Sequence, residues 1–260
     1  IYLGIGGAPE GVLSAAALNW WRKDKPWVVA LKIAGLFAGL ATSLLTGSRG
    51  GWIALPFVLA IVLWQRGRGK SLRWKVLAPL AIVALFAIVY GASSTVRERI
   101  DIVSANLTQY QHGHEDTSVG VRLQLYKVAV ELVQEHPVLG LGGHGFRDAM
   151  DSMARQGRLT PAAAQLGKGE VHNQLLAYMT DYGIVGGLAL LAIYFVPGFF
   201  FARRLKSPSP AARSAAMLGL LFAVMFFVFG LTVETFDLKG TVSIYALIVA
   251  SLAGIADRDN

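Results

Sequence analysis

The sequence has no cysteine. That excludes disulfides, thiolate metal sites and thiol nucleophiles, so any chemistry must rest on other side chains. Charge is also scarce. Asp, Glu, Lys and Arg make up 15% of the residues, whereas soluble domains carry about 25%. The deficit lies in long apolar runs, and 54% of the chain is hydrophobic. Such runs are the signature of membrane spans and exclude a soluble globular domain. The first stretch, Ile1–Trp21, has no basic start and no small-residue cleavage site, and it carries Pro9 and Glu10. It is therefore not a signal peptide, and it reads as the tail of a longer set of spans.

What is present is a series of apolar segments. Ile1–Trp21 is irregular. Pro26–Leu45, Ser48–Gln65, Trp74–Ala92, Ile184–Ala202, Ala215–Val233 and Thr241–Ala256 are the expected spans. Most approach the roughly 20 residues that a helix needs to cross the hydrocarbon core. The expected fold is an all-α polytopic membrane protein: a transmembrane helical bundle with a large, partly helical loop on one side. Three regions follow, with boundaries at 1–92, 93–171 and 172–260. The first and last hold spans, and the middle one holds amphipathic helices.

The connectors give the orientation. Arg22, Lys23 and Lys25 fill one, Arg66, Arg68, Lys70, Arg73 and Lys75 a second, and Arg203, Arg204, Lys206 and Arg213 a third. If every span crosses once, all three lie on one side, which the positive-inside rule makes the cytoplasm. The net charge of +8 thus faces the inner leaflet, and a nucleic-acid partner loses its support. The opposite side, the periplasm in a bacterium, receives the Thr46–Ser48 turn, the loop from Ser93 to Val171 and the short loop Glu234–Gly240. The long loop exceeds any plain connector and implies structure and function of its own.

Three features of this outer face resist a packing explanation. Arg49, in Thr46-Gly47-Ser48-Arg49-Gly50-Gly51, sits at the outer boundary. The positive-inside rule disfavours it there, and burying it unpaired costs several kcal/mol. It binds either lipid headgroups or an anionic substrate. Arg122 lies in a helix expected from Ser118, as N-cap, to His136, with Pro137 beyond its end. On a helical wheel, Gln124, Lys127, Glu131, Gln134 and Glu135 form a polar face, and Leu125, Tyr126, Ala129, Leu132 and Val133 an apolar one. Arg122 falls in the apolar face, turned from water, where it needs an anion. His172, in Val171-His172-Asn173-Gln174, stands at the start of an apolar helix that Asp181-Tyr182-Gly183 breaks. The helix dipole disfavours its protonated form there, which suits a proton acceptor. A capping or packing histidine is the plainer alternative.

Gly140-Leu141-Gly142-Gly143-His144-Gly145-Phe146 offers successive amides to an anion, although no strand precedes it as a dinucleotide fold requires. His112-Gly113-His114-Glu115-Asp116 has metal-binding residue types, but in a glycine-containing polar loop it reads as solvated. No metal and no cofactor is expected.

In order, Ser48-Arg49-Gly50 opening a span, Val121-Arg122-Leu123 in a long outer loop, His136-Pro137-Val138-Leu139-Gly140-Leu141-Gly142, and His172-Asn173 before a further span resemble the O-antigen ligase and polymerase superfamily of bacterial envelope enzymes. The resemblance covers nearly the whole chain. Leu125-Tyr126 stand where such sequences often carry a tryptophan, a departure that leaves the charged residues untouched. The resemblance implies an enzyme of the bacterial inner membrane with its active site facing the periplasm. It would move a glycan from undecaprenyl diphosphate to an acceptor, without nucleotide or metal. In the ligase branch the acceptor is the lipid A core, and the product is lipopolysaccharide. Arg49 and Arg122 would be essential arginines and His172 the essential histidine. Gly142, Gly143 and Asn173 join the two arginines as expected substrate contacts.

The chemistry of the residue types agrees. A departing lipid diphosphate concentrates negative charge, and arginines stay charged and bond phosphate oxygens in a fork. His172 would accept the proton of the incoming hydroxyl or orient the acceptor. One displacement would invert the anomeric centre. O-antigen polymerase and protein O-oligosaccharyltransferase use the same donor and stay open as alternatives. A transporter of the lipid-linked glycan is an alternative of another class, but it should carry polar groups along its spans, and these spans have few.

Overall fold

The structure, a computed structural model, describes residues 50–66 and 94–258, with isolated helical positions between 27 and 91. Arg49, the expected span Ile1–Trp21 and most of Pro26–Leu45 and Trp74–Ala92 fall outside the described residues. Among those described there is no strand. The helices are α1 (Gly50–Arg66), α2 (Ser94–Gln111), α3 (Ser118–Glu135), α4 (Gly145–Arg155), α5 (Pro161–Gly167), α6 (Gln174–Arg204), α7 (Pro210–Gly230) and α8 (Lys239–Asp257). They belong to two compact units, one of residues 1–70 with 191–260, the other of residues 71–190.

The first unit holds α1, α7, α8 and the later part of α6. Helices α6, α7 and α8 are long and apolar enough to cross a membrane. Helix α7 begins earlier than the expected Ala215. Ser209 accepts the Ala212 amide and Pro210 stands at the first helical position, where its missing N–H is no loss. Thr241 and Gly219 illustrate the two needs of such a bundle. The Thr241 hydroxyl returns to the Leu238 carbonyl at 2.8 Å, which satisfies a polar group without water. Gly219 lies beneath the Phe201 ring, which occupies the place of its missing side chain. Phe201, Leu221, Met225 and Val228 are buried together with Val58 and Val62 of α1. Phe236 stacks on Tyr194 and on Phe226, and Tyr245 donates to the Ile193 carbonyl at 2.7 Å. Arg204 pairs with Asp257, and Arg213 donates to the Ser207 and Pro208 carbonyls. Phe195, Val196 and Phe199 of α6 and Val242 and Leu247 of α8 remain exposed, as residues facing lipid would be.

The second unit holds α2–α5 and the first part of α6. Leu125, Val128, Ala129 and Leu132 of α3 form its core with Phe146, Met150, Leu159, Ala163, Ala164 and Val171. The N-cap of α3 is Thr117, whose hydroxyl accepts the Gly120 amide; Ser118 is the first helical residue. The buried face of α3 also differs from the wheel. It is turned toward Gln124, which is buried because both ends of its amide find backbone: Nε2 donates to Glu115 O at 3.0 Å, and Oε1 accepts Thr160 N–H at 2.7 Å. A buried polar group is stable when paired. That rotation leaves Arg122 exposed, correcting the expectation that it turns from water.

Helix α6 breaks where the sequence indicates. Gly183 has φ 64 and ψ −158, a conformation that is essentially glycine's alone. The loop after α3 fastens onto this break. Ile184 N–H donates to Pro137 O at 2.8 Å, Leu141 N–H to Thr180 O at 2.9 Å, and Gly142 N–H to Asp181 O at 2.8 Å. Gly140 also has positive φ, and a side chain there would collide with the backbone of Asp181 and Gly183.

Candidate active site

His172 is placed by its neighbours. Val171, 2% exposed, plugs the chain into the core of the second unit. Asn173 caps α6: its Oδ1 accepts the Leu175 and Leu176 amides at 3.0 and 3.1 Å. Asn173, expected to touch substrate, thus has its side-chain oxygen engaged in the helix cap. Between these anchors His172 adopts φ +62, an uncommon conformation for a residue other than glycine. The Tyr126 hydroxyl donates to the His172 carbonyl at 2.9 Å and ties it to α3. The ring is fixed from another side, with Nδ1 2.6 Å from Glu170 Oε1.

Arg122 and Tyr126 lie one turn apart on α3, so their side chains share a face. Burial raises the Tyr126 pKa, the positive charge of Arg122 lowers it, and the carboxylate of Glu170 raises it. Tyr126, one turn past Arg122, is where α3 meets the segment 170–172. Arg122 has no ion pair among the described residues. Unlike Arg158, which pairs with Glu131 and Glu135, it is exposed.

The glycine loop does hold an anion, and the anion is internal. Asp181 Oδ2 accepts the His144 amide at 3.1 Å, and Oδ1 accepts the Phe146 amide at 3.0 Å. The Gly142 amide is engaged by the Asp181 carbonyl. A side chain at Gly143 would lie 3.3 Å from the Tyr182 hydroxyl. The loop that supplies Gly142 and Gly143 is thus a clasp on the α6 break. His112 Nδ1 lies 2.7 Å from Thr108 O, and Asp116 accepts the Thr160 hydroxyl. Among the described residues no three His, Asp or Glu side chains converge as metal ligands.

Tyr126, one turn beyond Arg122 on α3, thus links that helix to the segment that carries His172 and Glu170. Tyr126 and Glu170 were not singled out by sequence. The available signals were weak: Tyr126 is four residues after Arg122, and Glu170 two before His172.

A family model described as O-antigen ligase matches residues 33–191, which include Arg49, Arg122, Gly142, Gly143, His172 and Asn173. The chain belongs to the O-antigen ligase family. A protein of Escherichia coli described as O-antigen ligase is 20% identical over 187 residues, 71% of this chain and 43% of its own length. A Haemophilus influenzae protein described as uncharacterized is 27% identical over 210 residues, 80% of this chain and 52% of its own. The chain spans about half the length of these curated relatives. Helices α6, α7 and α8, long and apolar enough to cross a membrane, suit a membrane-embedded member of that family.

Proposed function

We propose that this protein transfers O-antigen polysaccharide from undecaprenyl diphosphate to the lipid A core at the periplasmic face, without metal or nucleotide and with inversion. The observation that carries this reading is the bond from Tyr126, one turn beyond Arg122 on α3, to the His172 carbonyl, which ties the helix bearing the arginine to the segment bearing the histidine although fifty residues separate the two. A lipid diphosphate needs a cation where it departs, and a sugar hydroxyl needs a base where it attacks. In this reading Arg122 supplies the cation and His172 the base, and no metal is required.

In this reading the acceptor hydroxyl gives its proton to His172 as its oxygen bonds the anomeric carbon of the donor sugar. The bond from that carbon to the diphosphate oxygen breaks, and the diphosphate leaves with the electron pair. Arg122, exposed and without an ion pair among the described residues, receives the developing charge. Arg49, which lies outside the described residues, is the second arginine of this reading. Removing one such stabilising group typically costs about 2.7–4 kcal/mol of barrier. One relative carries the description O-antigen ligase, which favours the ligase over polymerase and protein-glycosylating alternatives.

The test is transfer by purified full-length protein supplied with undecaprenyl-diphosphate glycan and lipid A core, in chelator and without nucleotide. Wild type should modify the core, and Arg49→Ala, Arg122→Ala and His172→Ala should each lose at least about 100-fold in rate. Lengthening of the glycan without core modification would make the protein a polymerase. A covalent glycosyl-enzyme would exclude the single displacement. Movement of the lipid-linked glycan across the bilayer by the His172→Ala variant, without transfer, would favour a transporter.

A further inference from the structure

We propose that Glu170 is the positioning carboxylate of His172, selecting the imidazole tautomer that leaves Nε2 free to take the acceptor's proton. The proposal rests on the reading of His172 as the base and deepens it.

The argument starts from donor and acceptor chemistry. An ionised carboxylate only accepts hydrogen bonds. With Glu170 Oε1 2.6 Å from His172 Nδ1, the proton between them belongs to Nδ1. A neutral imidazole carries one ring proton, so Nε2 then holds a lone pair. The reactive nitrogen is chosen by its partner across the ring. When Nε2 accepts the hydroxyl proton, the same carboxylate faces the resulting imidazolium and balances its charge. An N–H to carboxylate bond of this length belongs to the short, charge-assisted class.

The carboxylate itself is held by structure. Gly169 N–H and Glu170 N–H both donate to Leu166 O, which continues the last turn of α5 into Glu170. Lys168, two residues before, pairs with Asp151 of α4 at 2.8 Å. On the other side, His172 cannot swing away freely, because Tyr126 holds its carbonyl and Asn173 caps the next helix. The side chains of His172 and Glu170 are 17% and 28% exposed. The pair is thus sheltered, yet open enough for a substrate to reach the ring. Arg122 and Glu170 both act electrostatically on the neighbouring Tyr126 phenol. A left-handed φ at a non-glycine residue is strained and persists only where its surroundings impose it. Here the imposed geometry brings the His172 ring to Glu170.

The experiment compares full-length wild type, Glu170→Ala, Glu170→Gln and His172→Ala in lipid nanodiscs, with undecaprenyl-diphosphate glycan and lipid A core as substrates. Steady-state transfer is measured beside nitrogen-15 NMR of imidazole-labelled protein, with His172→Ala assigning the signal. Glu170→Ala should lower kcat by about 10- to 100-fold, the size of effect seen when a carboxylate stops orienting a histidine, with donor KM changed by less than about threefold. Its His172 signal should pass from the Nδ1–H form to a mixture of tautomers. Glu170→Gln, which keeps size and a carbonyl acceptor, should fall between. Full activity of Glu170→Ala beside an inactive His172→Ala would overturn the proposal and leave the ligase reading standing. Inactive Glu170→Ala with an unchanged tautomer would also overturn it, by showing that the pair only braces the loop. An active His172→Ala would remove the base itself, and the proposal with it.

Discussion

Replacing Asp181 with alanine removes the anion on which the start of α4 closes. In the native protein its two oxygens accept the His144 and Phe146 amides at 3.1 and 3.0 Å. Hydrogen bonds to charged groups each contribute about 1.5–3 kcal/mol. Asp181 is partly solvated, and water can replace it at both amides. The combined loss should therefore be about 2–3 kcal/mol in the free energy of opening the loop, at or just below the low end of the summed ~3–6 kcal/mol. At 1.4 kcal/mol per factor of ten, that is roughly 30- to 150-fold faster amide exchange. The assay is hydrogen-exchange mass spectrometry of full-length protein in nanodiscs, following peptides across residues 140–150. Peptides across Val128–Leu132 in the core of the same unit serve as control. Asp181→Asn keeps one acceptor oxygen but sets an amide NH2 against the other donor, so it should lie nearer to alanine than to wild type. Unchanged exchange at residues 144–146 would refute the clasp. Equal acceleration in the control peptides would refute its local character.

Three further outcomes follow from the packing. Gly183→Ala places a side chain against the Val138 carbonyl and the Leu139 amide in a backbone region closed to alanine. It should cost at least about 1–3 kcal/mol and lower the melting temperature in nanodiscs; an unchanged melting temperature would show that the break adapts. Gly219→Ala collides with the Phe201 ring, whereas Gly198→Ala meets open space. The first should destabilise by about 1–3 kcal/mol in denaturant titration and the second should not, and equal effects would count against the packing argument. Tyr126→Phe should cost about 0.5–1.5 kcal/mol through its bond to His172 O, and its effect should depend on pH. Burial first, and Glu170 in addition, raise the phenol's pKa against the opposing effect of Arg122. A raised folded value contributes stability that is full below the unfolded value, about 10, and is lost as pH rises through the folded one. Between pH 8 and 11 the wild type should lose melting temperature faster than Tyr126→Phe; parallel slopes would contradict the burial of that hydroxyl.

What the sequence discloses and what it hides divide along physical lines. Long apolar runs announce α6, α7 and α8, because a span must be apolar over its whole length. The Gly183 break is legible for a similar reason: its backbone conformation admits one residue type. The face of α3 was misjudged because a helical wheel sorts by residue type, and Gln124 becomes a core residue only when Glu115 and Thr160 arrive from outside the helix to satisfy it. Helices α2, α4 and α5 were not foreseen individually. The amides at the start of α4 are held by Asp181, distant in sequence, and α5 is a single short element capped by Thr160. Arg122 and His172 could be named from type and spacing. That Tyr126 ties α3 to the His172 carbonyl is a tertiary fact, and the hold of Glu170 on the ring depends on a positive φ at His172 that residue type does not announce.

Helix α6 also acts as a ruler. His172 and its cap stand at one end of residues 174–182, and the break at Gly183 marks where the second part of the helix starts. At 1.5 Å per residue this segment is roughly 13 Å long, and the clasp from Pro137 to Gly142 fixes its far end. Inserting one residue before Gly183 would lift His172 by about 1.5 Å and turn it by about 100° about the helix axis. Length variation is therefore intolerable within 174–182, where the number of residues itself specifies the height and bearing of the histidine.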